Sequence, residues 1–267
     1  MDFSYSGFEF NIHDYFLKNT LFIAISGSHG FGWTSKNSDL DLRIVTMPDL
    51  QLYVDPFFNI KTTQWDSWHK IYNIDVTVYP IKSTLQLLAK GNGNILDNLF
   101  EDKLYERKSD LVKELKCIIA SHLHKGFLNH CLGYSQSVKR DLNIDSRINK
   151  FGYGKLLLER YREILKGMLL CEGKIEHNLV IMLNSISTKY CESILNSVVN
   201  NETLCINEVS NAIVETDSLD NELKEMVSKS DLPSIEQSTI EVPLSRWLRR
   251  YYFGKSSEEE KYEQKCS

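Results

Sequence analysis

Proline is scarce in this chain and unevenly placed. The five prolines stand at positions 48, 56, 80, 233 and 243, so none falls between Ile81 and Leu232. Interior proline breaks helices, and that long gap therefore suits a set of helices. Zinc-type cysteine spacing is missing too. Cys117, Cys131, Cys171, Cys191, Cys205 and Cys266 make no C-x-x-C pair, and no Cys/His cluster has metal-ligand spacing. They fall mostly in apolar helical patterns, which predicts buried free thiols in a reducing compartment and hence a cytoplasmic location. No apolar run approaches the roughly 20 residues of a membrane span, so no membrane partner is expected. The start, "MDFSYSGFEF", lacks the basic n-region of a signal peptide. Nor is there an excess of positive charge. The net charge is −5, so any nucleic-acid contact has to come from a local basic surface. What remains is ordinary globular composition: 267 residues, 42% hydrophobic and 25% charged, enough for one large domain or two small ones.

The first eighty residues read differently from the rest. "LFIAIS", "LDLRIVTM" and "IYNIDVTVYPI" are short, β-branched or aromatic, and bounded by turn residues, which is the pattern of strands. "DYFLKN" before them reads as a short helix, and "PDLQLYVDPFFNIKTTQWDSWHK" as a loop with a short element. After Pro80 the apolar period becomes helical. "STLQLLAKGNGNILDNLF" gives two short helices about a Gly-Asn-Gly joint, with Ser83 as an N-cap. "SDLVKELKCIIASHLHKGFLNHCLGYSQSVKRDL" and "YGKLLLERYREILKGMLLCEG" are longer amphipathic patterns, the second closed by Gly173. Further helices are expected over roughly 179–199 and 206–229. The expectation is an α+β fold: a small mixed sheet with helices over residues 1–110, an all-helical domain over 111–255, and a charged tail over 256–267.

The chemistry sits in "AISGSHGFGWTSKNSDLDLRIV", residues 24–45. Strand residues alternate faces, so Asp39, Asp41 and Arg43 share one face and Leu40, Leu42 and Ile44 the other. Carboxylates side by side repel unless a cation lies between them. Hard divalent ions are commonly held by one or two carboxylates plus substrate phosphates. In "YNIDVTVY", Asp75 lies mid-strand among apolar residues and needs a partner or a function. Asp55 and Asp66, both in the polar loop, are the alternatives for a third carboxylate. The turn ahead of the pair, Gly27-Ser28, lets backbone N–H groups come close to phosphate oxygens. Strand, Gly-Ser turn, Asp-x-Asp strand and a later Asp strand together describe a two-metal phosphoryl-transfer site.

These residues carry a resemblance. "GSHGFGWTSKNSDLDLR" is similar to the "GSRAYG…SDYDVR" signature of the RlaP-type nucleotidyltransferases associated with RNA repair, within the DNA polymerase β-type superfamily. "YPIKSTLQLLAKGNGNILDNLF" and "CLGYSQSVKRDL" extend it, so that it covers about residues 21–175. The resemblance implies a nucleotidyltransferase catalytic domain in the first 110 residues. It makes Gly27 and Ser28 the triphosphate-binding turn, Asp39 and Asp41 metal ligands for Mg2+ (or Mn2+), and Asp75 the third carboxylate, both ligand and catalytic. His29 stands where the group usually has arginine, which makes a fixed charge titratable. Lys155 aligns with a lysine of the group and is the candidate second-wall contact to the nucleotide, while Leu158 stands where a histidine is expected. The implied reaction moves a nucleoside monophosphate from an NTP to a hydroxyl, with an RNA end as acceptor and pyrophosphate released. Transfer to a protein side chain or a small molecule, and a non-catalytic nucleotide- or RNA-binding module, are the alternatives.

Other features have plainer readings. Arg43 on the carboxylate face suits a salt bridge to Asp39 or Asp41 as well as a substrate contact. Lys139, Arg140, Lys150, Lys155, Arg160, Arg162 and Lys166 read first as a solvated helix face and second as a phosphate- or RNA-binding wall. "SRWLRRYYFGK" (245–255) reads as a helix docking its aromatics into the core, although its mix of bases and rings also occurs in single-strand binders.

Overall fold

The computed structural model describes residues 2–6, 8–11, 18–51, 63–69, 73–144 and 150–254. A two-stranded hairpin, β1 (Asp2–Tyr5) and β2 (Phe8–Asn11), precedes the main sheet. That sheet contains β3 (Thr20–Ser26), β4 (Leu40–Thr46), β5 (Thr63–His69), β6 (Ile74–Pro80) and β7 (Lys103–Glu106) in the order β5-β6-β4-β3-β7. β4 and β6 run parallel and the other pairs antiparallel, so the sheet is mixed. β3 is buried along its whole length, as its apolar run requires of a strand flanked on both edges. In β4 the alternation decides the faces. Leu40, Leu42 and Ile44 join Ile23, Ile25, Ile74 and Val76 in one apolar cluster, against which Phe3 and Tyr5 of the hairpin pack.

The opposite face of the sheet meets the helices. α1 (Gly27–Phe31) follows β3; α2 (Ile81–Ala89) and α3 (Gly93–Phe100) follow β6; α4 (Ser109–Ser121), α5 (Lys125–Ile144), α6 (Lys150–Cys171), α7 (Leu179–Leu183), α8 (Cys191–Val199), α9 (Ile206–Lys229) and α10 (Glu241–Phe253) complete the chain. Phe22, Ala24, Val45 and Met47 from the sheet join Leu85, Leu96, Val112, Leu115, Phe127 and Trp247 in a second cluster. α10 therefore packs on α4 and the sheet. Its Leu244 and Trp247 are buried, the Trp247 Nε1–H donates to the Leu111 carbonyl at 3.0 Å, and the Tyr252 hydroxyl donates to the Pro48 carbonyl at 2.7 Å. Each such buried side chain is worth about 1.5–3 kcal/mol. This apolar cluster joins elements on both sides of residue 110; the division into a catalytic domain over 1–110 and a helical domain over 111–255 stands as a proposal. The tail over 256–267 and most of "DYFLKN" lie outside the described residues.

The structure differs from the sequence reading in several places. α2 begins two residues before Ser83, with Pro80 as its N-cap residue, because proline's fixed φ suits a helix entry. Asn92 of the Gly-Asn-Gly joint caps α3 by accepting from the Ile95 N–H at 3.0 Å. The long pattern from Ser109 divides into α4 and α5 around residues 122–124. Gly173 does close α6, at φ 74°, with bonds from Gly173 and Lys174 N–H back to Leu170 and Leu169. Cys131 and Cys191 are buried, but Cys117 and Cys205 are exposed. No helix among the described residues is long and apolar enough to cross a membrane.

Candidate active site

The register brings the opening stretch together. Ser26 on β3 pairs with Asp41 on β4, and Asp41 pairs in turn with Asp75 on β6. Directly paired residues point to the same face, so Ser26, Asp41 and Asp75 form one row on the helix-facing side of the sheet. Asp39 stands just before β4, and its charge acts on Asp41. Of the alternatives for the third carboxylate, Asp55 lies outside the described residues, and Asp66 lies in β5, where only the backbone is described.

Asp41 is held tightly. Its Oδ1 accepts from the Arg43 guanidinium at 3.2 Å, and Arg43 also donates to the Thr77 hydroxyl at 2.9 Å. Arg43 is thus a salt-bridge partner of Asp41, the first of its two expected roles. Burial raises the Asp41 pKa, Arg43 opposes that, and Asp39 and Asp75 add to the rise. The other carboxylate oxygen faces Gly27, where φ is 61° and a side-chain carbon would collide with it. Glycine at 27 is therefore required twice, by the left-handed backbone and by the carboxylate.

The Gly-Ser turn is the five-residue α1. Ser28 accepts at its carbonyl from the Gly32 and Trp33 N–H groups and from the Thr34 hydroxyl, which closes the turn. Its own hydroxyl oxygen is buried with no hydrogen-bond partner among the described residues. His29 packs edge-on against the Tyr5 ring, centroids 5.7 Å apart. Burial lowers its pKa, against the pull of Asp39 and of a hydrogen bond with the Ser38 backbone. Burial thus favours the uncharged ring in the ligand-free protein.

Behind the turn lies a set of charges that sequence reasoning put on a solvated face. Every residue from Arg160 to Leu170 of α6 is buried. Arg162 and Lys166 both donate to Asp97 of α3, and both also bond Glu163, at 2.6 and 2.7 Å. The Arg162 guanidinium carbon lies 3.6 Å from the centre of the Phe31 ring at the end of the turn, close enough for a cation–π contact. Arg160 bonds Thr216 and Asp217 of α9. These cations serve packing between helices and form no outer wall. Leu158, where a histidine is expected, belongs to the apolar cluster of the helical region.

Two further carboxyls escaped the sequence reading. Asp97 neutralises Arg162 and Lys166, whose charges hold its pKa below the usual carboxylate range against burial. Glu101 accepts from the Ser26 hydroxyl at 3.2 Å, and burial with the nearby Asp97 charge pushes its pKa up to about 8. No local pattern marks either residue, because both partners come from distant segments.

The residues present suit a hard cation in kind: carboxylates on an open face, and a turn that can face phosphate. Among the described residues, however, no three His, Cys, Asp or Glu side chains already stand close enough to hold a metal ion. The carboxylate row by itself is therefore not a formed metal site among the described residues. Lys155 lies on α6, half-buried, and its charge acts on Glu159 one turn further on. The groups that act on Asp41 most strongly do not include it.

Residues 10–250 match the family model described as RlaP, the RNA repair pathway DNA polymerase beta family. Similar solved structures include a nucleotidyltransferase-like protein from Exiguobacterium sibiricum, 12% identical over 81% of this chain and 74% of that one, at a TM-score of 0.38. Another is the spectinomycin adenyltransferase from Enterococcus faecialis solved with ATP and spectinomycin, 16% identical over 79% of this chain and 94% of that one, at a TM-score of 0.45. No curated protein matches the chain.

Proposed function

The chain belongs to the RNA repair pathway DNA polymerase beta family and is a nucleotidyltransferase; from that premise we propose that it transfers a nucleoside monophosphate from an NTP to the hydroxyl of an RNA end, releasing pyrophosphate. The observation that carries this reading is the row Ser26–Asp41–Asp75, with Gly27 seated against the Asp41 carboxylate. The RNA acceptor rests on the family's description alone.

Asp39, Asp41 and Asp75 would hold Mg2+ (or Mn2+), which supplies positive charge for the triphosphate and the leaving group. The Gly27–Ser28 turn would bind the triphosphate, and the buried Ser28 hydroxyl is free to donate to a phosphate oxygen. Asp75 would hold the acceptor hydroxyl and take its proton as the oxygen attacks the α-phosphorus. The new oxygen–phosphorus bond forms as the α–β bridge breaks, and pyrophosphate leaves. His29 would contact the triphosphate as a hydrogen-bond donor. Lys155 would reach the nucleotide from the helical side.

The test is incubation of the protein with each α-labelled NTP, Mg2+ or Mn2+, and total RNA, with Asp41→Asn in parallel. Label on RNA that is lost in the variant supports the reading. Label on the protein itself makes a side chain the acceptor, and no label anywhere leaves a nucleotide- or RNA-binding module.

A further inference from the structure

α10 presents a second chemical surface. Leu244 and Trp247 point into the core. The other side of the helix carries Val242, Ser245, Arg246, Arg249 and Phe253, which recur at helical spacing and line a groove of about 620 Å³. Arg246 and Arg249 are exposed, and Phe253 is 72% exposed. The neighbouring grooves along the same helix add Lys82 of α2 and Lys90 just past its end, both exposed. Arg250 also borders the first groove, but Glu114 of α4 pairs with it. Among the described residues lining these three grooves, Glu241 is the one carboxylate, against five cations, of which Arg250 is paired with Glu114. The whole chain has a net charge of −5, so this surface runs against the charge of the molecule.

We propose that the α10 groove is an anchoring surface for single-stranded RNA, with Arg246, Arg249, Lys82 and Lys90 on the phosphates and Phe253 under a base. The inference rests on the RNA-acceptor reading and gives it a second point of contact. Cations alone suit any polyanion. An exposed ring set among them is what a base needs, since every base has a face to stack. The position fits an acceptor strand as well. Asp41 and Asp75 lie at the starts of β4 and β6, whereas α2 begins directly after the end of β6, and Tyr252 bonds Pro48 just past the end of β4. The five residues from Asp75 to Pro80 span about 16 Å of strand. A nucleic-acid strand rising roughly 3.4 Å per nucleotide covers that in about five nucleotides. The groove would thus grip the body of the strand while its end lies at the carboxylates.

The experiment is fluorescence anisotropy with a labelled single-stranded RNA of about 20 nucleotides, without NTP or metal, over a salt series, on the full chain. Arg246→Glu/Arg249→Glu should weaken binding at least tenfold and flatten the salt dependence, by about 1.4 in log–log slope if two phosphate contacts are lost. Arg246→Lys/Arg249→Lys should keep most of the affinity, and Phe253→Ala should weaken binding at unchanged salt slope. Wild-type affinity and slope in the charge-reversed variant would overturn the surface. RNA labelling by the same proteins separates the two readings. If wild type labels RNA and the reversed variant binds and labels it equally, the surface fails and the acceptor reading stands. If wild type never labels RNA but loses RNA binding on charge reversal, the surface stands and the acceptor reading fails.

Discussion

Two groups of charges lie on the helical side of the sheet, and they are built in opposite ways. In the buried group, Asp97, Arg162, Glu163 and Lys166 pair two carboxylates with two cations, each within bonding distance of its partners. On the open face, Asp39 and Asp75 both push on Asp41, and Arg43 is the cation that answers it. The first group is electrically closed and buries its members almost wholly. Among the described residues that act on Asp41, the second has more negative than positive charge, and it leaves the Asp41 side chain 20% exposed. Buried pairs cost desolvation and need full compensation. A carboxylate row kept short of cations gains most from one arriving with substrate. The contrast separates charges that build the molecule from the charges to which the proposed function assigns a ligand.

The largest expected effect is on the open face. Asp41→Asn should lower transfer by at least about a hundredfold, the scale of losing one group that stabilises a transition state. It should leave the melting temperature unchanged or higher, because repulsion within the row is relieved. Near-wild-type turnover at saturating Mg2+ would sink the assignment. On the buried side the pattern should reverse. Arg162→Leu strands Asp97 and Glu163 and should cost about 3–5 kcal/mol, or roughly 6–20 °C in melting temperature for a chain of this size. A loss below about 1 kcal/mol would show that the group is not the closed network described.

Glu101 sharpens the comparison through pH. Its folded pKa is raised to about 8, so between its ordinary range near 4.5 and that value the folded state holds a proton that the unfolded chain has released. Its contribution to stability is full below about pH 4.5 and is lost as pH rises through 8. Lys103, lowered to about 7 by burial and by Lys116, has the opposite slope above pH 7. The clean window is therefore pH 5 to 7. Glu101→Gln keeps the hydrogen bond and cannot ionise. It should gain on wild type by on the order of 1 kcal/mol per pH unit across that window, read from denaturant melts at each pH. Parallel curves would mean that Glu101 is ionised in the fold. The smallest effect is expected at Lys155, whose charge is not among the strongest influences on Asp41. Lys155→Ala should raise the apparent KM for NTP severalfold with little change in melting temperature, and Lys155→Arg should recover part of the loss. If neither KM nor RNA binding moves, Lys155 belongs with the structural charges of α6.

Strand alternation made Asp41 and Asp75 legible before any coordinates, because a carboxylate facing away from Leu40, Leu42 and Ile74 can lie only on the other face. Their pairing in one row was not legible, since it depends on the parallel register of β4 and β6. β1, β2 and β7 are four-residue strands, too short for a periodic signal. α6 misled for a different reason. A helix rich in Arg, Lys and Glu has the composition of a solvated face, and nothing in its own sequence announces that Asp97 and Asp217 come from elsewhere to meet it. Charge composition reveals exposure only where the partners are local.

Trp247 and Leu111, joined by one hydrogen bond, are 136 residues apart in the chain. At a synthesis rate of roughly 5–20 residues per second, Leu111 emerges about 7 to 27 seconds before Trp247. During that interval α4 and the sheet can already have met, while the slot that Trp247 and Leu244 fill is an open apolar hole. Apolar surface left uncovered during synthesis favours aggregation, and the docking of α10 is what closes it here.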